Sequence, residues 1–477
     1  MQIPNANFAY RIRESKKYSW IALATVSIGT FMSSLDGSIV NIALPTVSNK
    51  LHIDIVNTEW IVLGYLLATT VFLPVFGKLA DIIGRKLIYN LGFIIFSIGS
   101  LFCAFAGSFI WLVISRVFQA IGASMIIANG LAIITDAFPF KKRGVALGIM
   151  GTVVASGSSM GPPLGGFLVQ HFGWSSIFLI NVPIGFVGTV IAFINLRKDK
   201  NTGYTRKFDF TGAFLFIVSV SALVLALMKG PDFGWNSIRT IALLSVFLLG
   251  IVIFIIVQLR VKNPLIDLGL FKDRMFLIGN LSGFIAFASS ISLTYLMPFY
   301  LERVHLLTPS FSGLVMLSIP ISMSVMAPVS GWLCDRIGCR WPATFGLFLG
   351  ALAIFLVSFL LKDSSLIGII ARLILAGAGM GVFMAPNNNS VMSSAPKNKL
   401  GVASGILSVV RNLGWIMGMA FIAVMISIRQ PAYEAVFGSE SPEALLKIIA
   451  EIFRITSVTL FAASVISSFR GKHNHVS

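Results

Sequence analysis

Pro74, Gly77, Leu79, Asp81 and Gly84 recur 254 positions later as Pro328, Gly331, Leu333, Asp335 and Gly338. Arg116 recurs as Arg372 at offset 256, and Gly144-Val145-Ala146 followed by Gly148 recurs as Gly401-Val402-Ala403 followed by Gly405 at offset 257. Glycines alone would coincide by chance in a chain that holds 43 of them, but Pro, Asp and Arg keeping the same order do not. Such an offset restricts the fold to two copies of one unit in parallel orientation, an arrangement suited to two bodies that move against each other.

Composition identifies the solvent. Hydrophobic residues make up 56% of the chain and charged residues 11%, and the mean hydropathy is +0.89. Apolar runs of about 20 residues, each long enough to cross a bilayer as a helix, recur along the whole length. Fourteen are read, among them 20–44, 57–76, 174–195, 310–333 and 400–428. Trp20 shifted by 254 falls on Arg274, where the ninth span begins, so each copy holds six spans. The pair at 210–229 and 237–259 is then an insert, flanked by the charged stretches Arg197–Asp209 and Val261–Arg274. The expected class is an all-α polytopic membrane protein of two six-helix bundles plus two inserted helices. Its domains are 1–196 (first bundle), 197–274 (linker with the extra pair) and 275–477 (second bundle). The first span is too long for a signal-peptide core and no small-residue cleavage site follows it. Three cysteines give no disulfide framework, and Cys334 and Cys339 lack the companion ligands of a zinc site, so free thiols and no bound metal are expected.

Charge orients the chain. With loops assigned alternately, the side of the N terminus carries 25 Lys and Arg and the opposite side 7. Lys and Arg collect on the cytoplasmic side, so both termini are expected there, in a multi-pass protein of the cell membrane. The net charge of +18 is accounted for by short loops facing anionic lipid rather than by nucleic acid.

Few ionisable residues fall inside spans, where a charge costs about 2.5–3.5 kcal/mol on insertion scales. Asp36 is the one acid well inside any span. It lies eight residues from the far end of the first predicted span, and Arg116 about seven from the far end of the fourth, so equal depth allows them to share a cavity. Desolvation penalises the charged form of such a carboxylate and a neighbouring arginine favours it, so the group could load and release a proton as access alternates. Asp36 shifted by 254 is Ser290, so the carboxylate belongs to one copy only. A static ion pair is the competing reading.

The fifth span carries Gly157, Gly161, Pro162, Pro163, Gly165 and Gly166, a density of glycine that lets helices approach closely beside prolines that interrupt hydrogen bonding. Gly418 matches Gly161 in the second copy, but Met419 stands opposite Pro162. Gly77 to Lys86 reads as a short turn between the second and third spans, with glycines for the turn and Asp81 to cap a helix or pair with Arg85. Gly77, Asp81, Gly84 and Arg85, with Asp335 and Arg336, are expected to act as a latch that holds one conformation.

These residues resemble the major facilitator superfamily, in particular its fourteen-helix drug:proton antiporter branch. Gly77 to Lys86 resembles motif A. Arg116, Gln119 and Gly122, within Leu112–Ser124, resemble motif B, and Gly157 to Gly166 resembles motif C, the antiporter signature. Leu35 to Pro45 is similar to the first-helix motif of that branch, and Trp174 with Phe178 to Gly185 is a further match. Ile82 stands where motif A often has a basic residue, and Ala120 where motif B usually has glycine. The resemblance implies export of amphipathic small molecules driven by inward proton flow, with Asp36 and Arg116 as the coupling pair. Gln119, Asn129, Tyr295, Asn387, Asn388 and Arg411 are candidate substrate contacts. No GxxxxGK[ST] occurs, which argues against ATP, and no nucleophile–base or metal constellation suggests an enzyme. The expected partners are a small amphipathic substrate, protons and membrane lipid, with no cofactor and no nucleic acid, and the chain is expected to work as a monomer. A lipid or lipid-like metabolite carrier on the same scaffold, and a non-transporting membrane receptor, stay open as alternatives.

Overall fold

The computed structural model describes residues 17–51, 55–197, 208–437 and 441–471. Among them are fourteen helices long and apolar enough to cross a membrane. These are α1 (Tyr18–Leu51), α2 (Ile55–Ile83), α3 (Arg85–Ala104), α4 (Phe109–Ala137), α5 (Arg143–Phe172), α6 (Ser176–Asn195), α7 (Phe210–Phe233), α8 (Ile238–Arg260), α9 (Arg274–Phe299), α10 (Phe311–Ile337), α11 (Arg340–Val357), α12 (Leu366–Ser394), α13 (Leu400–Phe437) and α14 (Pro442–Ser468). In an apolar solvent every backbone N–H and C=O must be satisfied within its own segment, so apolar runs of this length become helices. The end of the molecule at which α1 begins is called proximal, the other distal.

The repeat is visible in the packing. α1 lies on α5, α2 on α4 and α3 on α4; in the second bundle α9 lies on α13, α10 on α12 and α11 on α12. Across the two bundles α2 meets α13 and α5 meets α10, again as a related pair. The inserted helices α7 and α8 pack chiefly on each other, and α8 is the least buried of the fourteen.

Several boundaries differ from the sequence reading. α1 continues to Leu51 rather than ending near 44, and α13 continues to Phe437. The helical ladder of α6 is interrupted at Ile180. α2 runs on to Ile83, so the motif expected as a turn is mostly helix. Its single turning residue is Gly84, at φ +110°, matched in the second bundle by Gly338 at φ +87°. Within each copy of the motif, that is the position at which the backbone takes the positive φ that glycine tolerates. The expectation of free thiols at Cys334 and Cys339 is corrected as well. The Gly338 turn brings their Cα atoms to 4.4 Å and the structure joins the two sulfurs in a disulfide, leaving Cys103 as the free cysteine.

A buried carboxylate ties in the insert. Asp209 caps α7 through the Gly212 N–H (2.8 Å) and also accepts from Gln258 Nε2 (2.7 Å) and the Leu265 N–H (3.3 Å), while Gln258 Oε1 accepts from the Ile266 N–H (3.0 Å). Downstream, Asp267 pairs with Lys399 at the start of α13. Burial pushes the Asp267 carboxyl up, but the bonds from Lys399 and the Gly269 N–H outweigh it and hold it below its ordinary value. That tie therefore contributes at neutral pH and is lost only as acidification passes through the lowered value. Replacing Asp209 by Ala leaves the Gln258 amide and two backbone N–H groups without their acceptor, each worth about 1–3 kcal/mol when buried. The expected result is faster limited proteolysis of the 261–273 segment, with the six-helix bundles unaffected.

Candidate functional site

The first site lies inside the first bundle. Asp36 and Arg116 are 0% and 1% exposed and form an ion pair, Arg116 Nη1 donating to Asp36 Oδ2 at 2.7 Å. The other carboxylate oxygen accepts from Gln119 Nε2 (2.9 Å) and Asn181 Nδ2 (2.8 Å). Gln119 in turn accepts from Arg116 (2.6 Å) and donates to Ser100 Oγ (2.7 Å). Arg116 Nε donates to the Ile61 carbonyl (3.3 Å), and its guanidinium lies 4.0 Å from the Tyr65 ring centroid. One carboxylate thus joins α1, α4 and α6 directly, and α3 through Gln119. Ion pairs so deeply buried are tolerated when the remaining lone pairs and protons are satisfied, as those of Asp36 are here.

The expected pairing of Asp36 with Arg116 is present, but the depth argument behind it rested on a first helix ending near 44. With α1 reaching Leu51, Asp36 lies fifteen residues from the distal end, and the longer helix carries its distal part beyond the level where α4 starts. Asn181, Ser100 and Tyr65 were not singled out as site residues; the available signal was a polar side chain within an apolar span. The matching position in the second bundle, Ser290, donates to the Phe287 carbonyl of its own helix (3.0 Å) and lines a cavity of about 30 Å³ with mostly apolar walls.

Motif C seats α5 on the helix that carries Asp36. A Cβ on Gly157 would come within 2.9 Å of the Phe31 carbonyl, on Gly161 within 1.9 Å of Ser38 Oγ, and on Gly165 within 2.7 Å of Ile39 Cγ1. Gly166 has nothing within 4 Å, so close approach is not its role. The side chain of Pro162 lies outside the described residues. Gly418 repeats the arrangement in α13, where a Cβ would fall 2.2 Å from the Ala288 carbonyl of α9.

The second site joins the bundles at their proximal ends. Asp81 accepts from the Gly401 and Val402 N–H groups, both at 3.0 Å, capping the start of α13 some 320 residues away. Arg85 pairs with Asp81 at 2.9 Å and donates to the Lys397 carbonyl at 2.7 Å. The related contact sets Asp335 on the Gly144 and Val145 N–H groups at the start of α5, at 2.9 and 3.1 Å. Each aspartate lies where an anion is favoured, against the unpaired N–H groups and positive dipole end of a helix. Gly77 and Gly331 lie within their helices and serve close approach: a Cβ on Gly77 would fall 2.4 Å from the Gly401 carbonyl, and on Gly331 2.1 Å from the Gly144 carbonyl. Arg336, expected in the latch, lies instead over the Trp332 ring at 4.1 Å, because the residue matching Arg85 in the second copy is Cys339. Higher up the same seam, Thr152 donates to the Ser324 carbonyl (2.8 Å) and Asn412 to Thr70 Oγ1 (3.2 Å).

The six candidate substrate contacts do not form one cluster. Gln119 belongs to the Asp36 network. Asn129 donates to the Met125 carbonyl of its own helix, leaving its oxygen unbonded. Tyr295 is 37% exposed beside Phe299. Asn387 accepts from Arg470, which also donates to Ser282. Asn388 is half-buried on α12. Arg411 is half-buried on α13.

Two repeated six-helix bundles that meet at a seam of helix caps are the architecture of a membrane transporter. The model of the Major Facilitator Superfamily matches residues 26–419, and the chain belongs to that family, in its fourteen-helix form. It is 37% identical over 410 residues to the riboflavin transporter RibZ of Clostridioides difficile, covering 85% of this chain and 88% of the relative. It is 33% identical over 408 residues to the multidrug resistance protein Stp of Mycobacterium tuberculosis (85% and 76%), and 32% identical over 419 residues to the multidrug transporter MdtP of Bacillus subtilis (87% and 77%). The solved structure of the human organic anion transporter MFSD10 (TETRAN) has the same fold at 15% identity, with a TM-score of 0.60 over 96% of this chain and 100% of that one.

Proposed function

We propose that this transporter is a proton-coupled exporter of amphipathic small molecules that works by alternating access. The observation that carries the reading is the Asp36–Arg116 pair, fully buried, confined to one bundle and bonded to Gln119 and Asn181. A carboxylate accepts all three N–H donors; the protonated acid loses one acceptor position and gains a donor. Proton binding therefore loosens the joint between α1, α4 and α6. α1 is seated on α5 by the motif C glycines, and α5 carries Gly144, the partner of Asp335, at its proximal tip. A proton at Asp36 is in this way connected to closure at the seam. Relatives named as carriers of riboflavin and of multiple drugs support a small organic cargo.

The proximal end is assigned to the cytoplasmic side of the cell membrane on the charge bias of its loops, with both termini in the cytoplasm. The domain boundaries are placed at 1–196, 197–274 and 275–477, and the monomer is taken as the working unit. Reporter fusions at 201 and 472, which lie outside the described residues, would overturn this orientation by reporting from outside the cell.

Proteoliposomes with an imposed pH gradient, screened against organic dyes, vitamins and short-chain lipids, test the coupling. Uphill movement that collapses with a protonophore is expected for an organic compound; gradient-independent equilibration of every cargo would reject proton coupling. In the same vesicles Asp81→Asn, which weakens the caps on α13 and removes the Arg85 ion pair, should cut turnover several-fold while binding persists. Unchanged turnover would reduce this contact to static packing.

A further inference from the structure

A guanidinium without a counter-charge sits at mid-depth in the seam. Arg411 is eleven residues into α13, roughly 17 Å from its proximal start at about 1.5 Å per residue. The next residue, Asn412, bonds to Thr70 of the first bundle, which places this level of α13 at the junction of the halves. Asn412 faces α2, while Gly414 and Gly418 face α9, where a Cβ would fall 2.8 and 2.2 Å from the Phe284 and Ala288 carbonyls. At about 100° per residue, Ser404, Ser408, Arg411 and Trp415 form a stripe between those two contact faces. Along it, Ser404 Oγ and Arg411 Nε are buried without a hydrogen-bond partner. Among the described residues Arg411 has no ion pair, and its one aromatic contact is the Trp415 ring, 5.8 Å from the guanidinium. Trp415 meets Phe287 edge-on at 5.8 Å.

The charge balance of the interior then has a definite sign. Asp36 and Arg116 cancel each other inside the first bundle and are closed to a ligand. The charge left open at mid-depth in the seam is positive. A half-buried cation lacking a counter-ion at this depth in a membrane span is expensive, and an arriving anion with a flat ring satisfies it twice, by charge-assisted hydrogen bonds to the guanidinium and by stacking on Trp415.

We infer that Arg411 and Trp415 form the recognition point for a planar aromatic anion, which makes this class, rather than lipophilic cations, the preferred cargo. The inference rests on the transport reading above for its physiological meaning. Its test is equilibrium binding without a gradient, so the two fail separately: loss of coupling leaves binding intact, and loss of this selectivity leaves coupling intact.

The full-length protein in nanodiscs is titrated at fixed pH with fluorescein and with a cationic rhodamine ester on the same xanthene skeleton. Fluorescein is expected to bind about 10-fold or more tightly than the rhodamine, and Arg411→Gln to remove that preference by weakening fluorescein, with the rhodamine bound no less tightly than before. Arg411→Lys should retain part of the preference, since it keeps the charge without the planar fork, and Trp415→Leu, which removes the ring on which both dyes stack, should weaken fluorescein binding while the preference for the anion persists. If Arg411→Gln does not yield folded protein, the Lys and Leu variants carry the test. Tighter binding of the rhodamine, no binding of fluorescein, or equal fluorescein affinity across folded variants would overturn the assignment. Displacement of fluorescein by short-chain phosphatidylglycerol but not by naphthalene sulfonate would place a lipid headgroup there instead, and would overturn it too.

Discussion

Asp36→Asn is expected to leave a protein that inserts and binds cargo but no longer moves it uphill on a pH gradient. The loss should be about 100-fold or more in gradient-driven rate, the range seen when a proton-transferring group is removed. The asparagine presents one acceptor where the carboxylate faced Arg116, Gln119 and Asn181, and it leaves the Arg116 guanidinium buried without its counter-charge. Removing one partner of a buried pair costs about 3–5 kcal/mol, so the yield of folded protein should fall as well. A second variant separates the two effects. Asp36→Asn combined with Arg116→Gln restores charge balance, so folded yield should recover while coupling stays absent. Proton release on cargo addition, followed with a pH-sensitive dye in weakly buffered solution, should vanish in both variants. Undiminished uphill transport by the single variant would remove Asp36 from the coupling role, and Glu302, just past the distal end of α9, would be examined next.

The second large effect is expected from alanine at the glycines of the seam. A Cβ on Gly144 would lie 2.2 Å from the Gly331 carbonyl and 2.6 Å from Asp335 Oδ1, and on Gly401 2.4 Å from the Gly77 carbonyl and 2.8 Å from Asp81 Oδ1. The opposing atoms are backbone and a fixed cap, so α5 and α10, or α2 and α13, must separate. Separation breaks two N–H bonds to an aspartate in each case, worth together about 3 kcal/mol or more, which moves the closed-to-open ratio at the proximal end about 100-fold. Gly144→Ala and Gly401→Ala should each trap the proximally open state, giving slow turnover and faster labelling of a cysteine placed at Val145 or Val402. Gly107→Ala, with nothing within 4 Å, is the matched control. Wild-type labelling and turnover in both seam variants would mean that the caps seen here do not hold the closed state.

Much of this was legible beforehand, and the reason is physical. Hydropathy is a local quantity summed over about 20 residues, so fourteen spans, their doubling and the one deep acid can be read without knowing any contact. Asp36 with Arg116 could be paired because few other charges lie inside the spans to compete for either. The Gly77 to Lys86 motif was expected as a turn, and the structure makes most of it helix. Gly77 was expected to serve the turn and Asp81 to cap a helix or pair with Arg85; both are helical, and the helix that Asp81 caps, like the backbone that Gly77 approaches, belongs to the other bundle. The 257-residue repeat of Gly144 and Gly401 was visible, but not that each receives the aspartate of the opposite copy.

Asn181 and Asp209 show the same limit. Asn181 is one polar residue within an apolar run and Asp209 one at the edge of another, and only the approach of other helices gives each its partner: Asp36 from α1 for the first, Gln258 from α8 for the second. Cys334 and Cys339 became a pair because Gly338 turns the chain between them. The sequence by itself determined the solvent, the number of crossings, the doubled plan and which side chains are too costly to be idle, since each follows from transfer free energies of nearby residues. Only the tertiary structure decided which helix start each aspartate caps, how far α1 and α2 run past the apolar stretch, and that Arg411 rather than Asp36 is the charge left open at mid-depth in the seam. Those depend on segments hundreds of residues apart meeting within 3 Å, and no local sum contains that information.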